Sequence, residues 1–113
     1  MSEARLKSGI WVQAQLRLCD QGCMPAVISR RGDADAGQVL VKVLKSRTAC
    51  ELLARRFDDD GRRVWTVVIN ASESDCDAFV AREADIDPDL WVLEVEDPQG
   101  RYLPDGIEPL RDL

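Results

Sequence analysis

The sequence predicts an α+β domain: a curled antiparallel sheet of four to five strands with two helices on one face, in the order α-β-β-β-β-α-β. Three observations point there. Two segments repeat apolar residues at helical spacing behind serine capping signals. Five short stretches read as strands, most of them rich in branched residues: PAVISR, VLVKVLK, TACELLARRF, RRVWTVVI and LWVLEVE. The first four of these follow one another through short turn-rich loops, which favours antiparallel pairing.

Ser8 stands where it can cap a helix over residues 9–21, with Ile10, Trp11, Ala14 and Leu18 on one face. Gly22 and Pro25 end it. Residues 25–30 read as a strand, the loop RGDADAG follows, and residues 39–45 read as a central strand because both faces are apolar. Residues 48–57 carry two signals. Thr48 and Glu51 form a capping box, yet the turn DDDG and the clear strand at 62–69 make a hairpin the simpler account, so strand is preferred. Ser72 and Asp75 open a helix over 73–85 with Cys76, Phe79, Val80 and Ala84 on one side. Residues 90–96 alternate as a strand, with Trp91, Leu93 and Val95 inward and Glu94 and Glu96 outward. RYL starts a further short strand at most. Residues 1–103 are expected to form one domain and 104–113 an extended tail.

A chain of 113 residues suits one core. The net charge of -6 disfavours nucleic acid as a partner, because that affinity comes from neutralising phosphates. There is no histidine, which removes Ser-His-Asp, Cys-His and histidine–metal chemistry. No apolar run approaches a membrane span and the first residues lack a signal-peptide core, so a cytoplasmic protein with reduced thiols and no membrane partner is expected. Cys19, Cys23, Cys50 and Cys76 lack the paired spacing of a zinc site and read as small core residues. Asp85, Asp87, Asp89 and Glu96 imitate a calcium loop, but Leu90 stands where that loop needs glycine. No metal or cofactor is expected.

Four stretches together, RLKSGIWVQAQLR, RRGDADAGQVLVKV, DDDGRRVW and DPDLWVLEVED, resemble the short bacterial protein family catalogued as domain of unknown function fourteen-ninety-one. The resemblance runs from about Arg5 to Gly100. It implies no activity, cofactor or catalytic residue. It supports the strand reading of 48–57 and a bacterial cytoplasmic setting.

The most distinctive stretch is Arg30-Arg31-Gly32-Asp33-Ala34-Asp35-Ala36-Gly37, with Lys42 beyond it. Arg30, Arg31 and Lys42 could grip a phosphate or carboxylate while Gly32 and Gly37 allow close approach, and Asp33 or Asp35 could act as an acid or base. The competing reading is a hairpin connection whose aspartates satisfy backbone N–H groups. In the tail, Ile107, Leu110 and Leu113 recur at three-residue spacing and offer an apolar docking face. With no recognisable catalytic set, a sheet with open edges and this tail, the leading expectation is a non-enzymatic interaction module that binds protein, possibly itself. The alternative is a binder of an anionic metabolite or nucleotide through residues 30–37.

Overall fold

The computed structural model describes residues 7–57 and 59–104. Its elements are α1 (Ser8–Gln21), β1 (Ala26–Arg30), β2 (Val39–Ser46), β3 (Ala49–Phe57), β4 (Arg63–Ala71), α2 (Glu73–Ile86) and β5 (Trp91–Glu96), in the expected α-β-β-β-β-α-β order. The strand reading of residues 48–57 holds over Ala49–Phe57, which is hairpinned to β4. Ser72 caps α2 as its sequence indicates, its hydroxyl accepting from Asp75 N–H at 3.2 Å. Residues 101–103 form no strand.

The sheet order is β1-β5-β2-β3-β4. Three neighbouring pairs are antiparallel, while β2 and β5 run parallel, Val39 beside Trp91 through Leu44 beside Glu96. After β4 the chain returns through α2 and inserts β5 between β1 and β2. Residues 31–38 are therefore not a hairpin turn. They are a strap that carries the chain past the start of β5.

The helices lie on opposite faces, not on one. In β2, Val41 and Val43 join a core with Trp11, Val12 and Cys19 of α1, together with Leu93 and Val95. Leu40 joins a second core with Cys76 of α2, Leu52 and Val92, against which Phe79, Val80 and Ala84 pack. The physical reason was already in the sequence of β2 and β5. A strand alternates its side chains, so apolar residues at both parities require a cover on each face.

Both edge strands carry one extra residue: Ser29 in β1, between the pairs Ile28–Leu93 and Arg30–Val92, and Val68 in β4, between Ile69–Leu52 and Val67–Leu53. Such bulges twist an edge away from further pairing. Strand addition at the sheet edges thereby loses ground as a mode of association.

Helix α1 is rotated from the expected face. Trp11, Val12, Gln15 and Cys19 are buried, whereas Ile10 is 54% and Leu18 47% exposed. The residue before the helix is Lys7, with no side-chain cap. Ser8 instead donates its hydroxyl to the Gly37 carbonyl. The helix ends with Cys23, not Gly22, in the left-handed region at φ 58°, and Met24 N–H reaches back to Cys19 O at 2.8 Å.

Candidate functional site

The strap 31–38 is built into the fold. Asp33 N–H donates to Asp89 O at 3.0 Å, and the Trp91 indole Nε1–H donates to Asp33 O at 2.7 Å. Trp91 N–H donates to Gln38 O at 2.8 Å. From the other side, Gly9 N–H at the start of α1 donates to Ala34 O at 2.9 Å. A Cβ on Gly32 or on Gly37 would overlap the Asp89 carbonyl oxygen and press on Trp91 Cδ1 at 2.7 and 3.0 Å respectively. Both glycines are thus explained by the close passage of the strap over residues 89–91.

The predicted site residues separate when placed. Arg30 spends its guanidinium on the carbonyls of Pro88 and Leu90, at 3.1 and 2.7 Å. The Asp33 carboxylate accepts from the N–H groups of Asp35 and Ala36, at 3.1 and 2.9 Å, which closes the turn and leaves it poorly placed as an acid or base. Asp35 meets Lys7 at 3.6 Å on the surface. Arg31 lies over the Trp91 ring, 5.5 Å from its centroid, and is solvent-exposed. Lys42 is not with them. It emerges on the α2 face, 5% exposed, where its ammonium meets Asp77 at 2.7 Å, Glu73 at 3.0 Å and Glu94 at 3.3 Å. Glu94 therefore points at Lys42 and not simply outward. Burial opposes the Lys42 charge, but the hydrogen bonds to Asp77 and Glu73 and the charge of Glu94 outweigh it and hold the ammonium above the ordinary lysine range.

Nucleophilic chemistry at three of the four cysteines is not favoured by their surroundings. Cys19, Cys50 and Cys76 are buried, and burial is the first cause raising each thiol; Cys50 is pushed up to about 12. Asp87, in the calcium-like run, accepts from Asp89 N–H at 3.0 Å at the exit of α2. Trp11 and Trp65 stack with centroids 5.0 Å apart, with Arg55 over both rings, and all three tryptophans are buried. Ile107, Leu110 and Leu113 lie outside the described residues.

What the strap does create is a groove of about 730 Å³ between itself and the outward side of α1. Ile10, Ala14 and Leu18 form its apolar floor, with Lys7, Gln13, Arg17 and Gln21 along the helix and Arg31, Ala34, Asp35 and Trp91 opposite. Helical spacing assigns Ile10, Ala14 and Leu18 to the core, and that is why the groove is not evident from sequence. The available signal was a second apolar series, Val12, Leu16 and Cys19, which competes for the same core. A helix apolar on two sides has one side to spare.

The family model for DUF1491, a protein of unknown function, matches residues 6–105. The chain belongs to the DUF1491 family. Solved structures of similar proteins agree with the fold. A crystal structure of a DUF1491 family protein from Caulobacter crescentus CB15 is 40% identical, over 85% of this chain and 90% of that one, with a TM-score of 0.76. An NMR structure of a DUF1491 family protein from the same organism is also 40% identical, over 88% and 92%, with a TM-score of 0.76. The solution structure of protein Atu0922 from A. tumefaciens is 25% identical, over 87% and 91%, with a TM-score of 0.71. No curated protein matches the chain. Among the described residues of this DUF1491 chain, no helix is long and apolar enough to cross a membrane.

Proposed function

We propose that this chain is a non-enzymatic interaction module that docks a protein segment on the outward side of α1. The observation that carries the reading is the exposed stripe Ile10–Ala14–Leu18, two large aliphatic side chains left in water beside a groove walled by the strap. Contiguous apolar surface rimmed by polar residues marks interaction sites. Residues with chemical potential elsewhere are otherwise engaged. Asp33 closes a turn, Lys42 is caged by carboxylates, and three thiols are buried and held protonated. The alternative, an anionic metabolite or nucleotide held by residues 30–37 with Lys42, has less support. Arg30 and Asp33 are committed to the backbone, and Lys42 is held by Glu73, Asp77 and Glu94.

The test offers one display library of random peptides to the immobilised intact protein and to the double variant Ile10→Glu/Leu18→Glu. Both residues are about half exposed, so the variant should keep its fold by circular dichroism. Peptides enriched on the wild type and lost on the variant are the expected outcome. Equal recovery on both proteins overturns the reading.

A further inference from the structure

Resting on that docking reading, we infer that the groove takes an acidic amphipathic segment of another protein, its apolar side chains on Ile10, Ala14 and Leu18 and its carboxylates on Arg17 and Arg31. The inference comes from charge. The chain has 21 acidic against 15 basic residues, so a surface arginine has many carboxylates of its own to pair with. Two lysines of the sheet do so: Lys42 takes three carboxylates and Lys45 meets Glu51 at 3.8 Å. Arg17 and Arg31 are both exposed, both line the groove, and neither forms an ion pair among the described residues. The charged groups of the groove are Lys7, Arg17 and Arg31 against Asp35, a local excess of positive charge on a chain whose net charge is -6.

The positions suit a segment better than a compact anion. Arg31 is held over Trp91 on the strap, and Arg17 is one turn beyond Gln13 on α1, so the two cations flank the apolar floor from opposite walls. A compact anion needs several polar groups converging on one desolvated point. Here the cations stand apart on the rim with aliphatic surface between them, the pattern met by apolar anchors with charges on their flanks. A second copy of this chain fits less well, since the sum of its charges is acidic but the face presented would be this same basic groove.

The same library decides the matter. Peptides that require Ile10 and Leu18 should carry apolar residues at helical spacing with an excess of Asp and Glu. Their binding should fall at least tenfold in Arg17→Glu/Arg31→Glu and weaken steeply as salt rises. Groove-dependent peptides without acidic excess, bound equally by the arginine variant, overturn the acidic partner and leave the docking reading standing. Absence of any groove-dependent peptide overturns both. Light scattering on the intact protein completes the test, because a dimer that dissolves in Ile10→Glu/Leu18→Glu makes the occupant a second copy and also overturns the inference.

Discussion

Gly37 and the Asp89 carbonyl stand so close that no side chain fits between them. The contact exists because β5 enters the sheet between two strands already joined by the strap, and the strap must pass directly over residues 89–91. Gly37→Ala must therefore move backbone, not a flexible side chain, and should cost about 2–4 kcal/mol. Gly61 is the control. It has φ 79° with nothing near its Cβ position, so Gly61→Ala carries only the left-handed penalty of about 1 kcal/mol. Urea unfolding of the two variants measures the difference, and equal losses would show that the strap yields freely.

Lys42 and its three carboxylates form a polar clasp between the sheet and α2. Removing the ammonium in Lys42→Met leaves Glu73, Asp77 and Glu94 facing one another. Breaking a buried pair costs about 3–5 kcal/mol, and the partial exposure of these carboxylates reduces the expected loss to about 2–3 kcal/mol. The pH dependence has a definite sign. The folded-state pKa of Lys42 is raised, so its contribution is complete below the ordinary lysine range and declines as pH rises through that range toward the folded value. The wild type should lose stability on this alkaline limb, and Lys42→Met should lose less, as followed by denaturant midpoints across the alkaline range.

Much of the architecture was legible because its signals are local. The Ser72 cap, the Cys76–Phe79–Val80–Ala84 face and the turn before β4 each depend on a few neighbouring residues. The insertion of β5 was not legible. Trp91 meets Val39 across more than fifty residues, and no short-range pattern distinguishes that pairing from a meander. The site divided in the same way. The glycines of residues 30–37 announced a close approach but not its object, which proved to be Asp89 and not a ligand. Lys42 was separated from the strap because its strand parity turns it to the α2 face, onto Glu73, Asp77 and Glu94. The groove was hidden because α1 has two apolar series, and only the tertiary fold selects which one is buried.

The thiols give a direct check on burial. Cys23 is exposed, while Cys19, Cys50 and Cys76 are buried with thiols pushed up. With Ellman's reagent at mildly alkaline pH, one thiol should react at once and three only after denaturant is added. Rapid reaction of a second thiol would contradict the packing of the core that holds it. Cys23→Gly should abolish the fast phase. It should also stabilise the protein by about 1 kcal/mol, because φ is 58° at that position and glycine adopts it without strain.

Tyr102 ties the end of the described chain to α1. Its buried hydroxyl donates to Gln15 Oε1 at 2.8 Å, while its backbone N–H donates to the Asp97 carboxylate at 2.7 Å. Gln15 lies on the buried side of α1, where a carboxamide without a partner is costly. Tyr102→Phe removes one bond and strands the Gln15 oxygen, so the expected loss is about 1–3 kcal/mol. Gln15→Leu similarly removes that bond from the phenol. The double variant Tyr102→Phe/Gln15→Leu replaces both polar ends with apolar ones and should recover part of the sum, giving a coupling of about 1 kcal/mol in a double-mutant cycle by urea unfolding. Simple additivity would mean that the phenol and the carboxamide do not meet in solution.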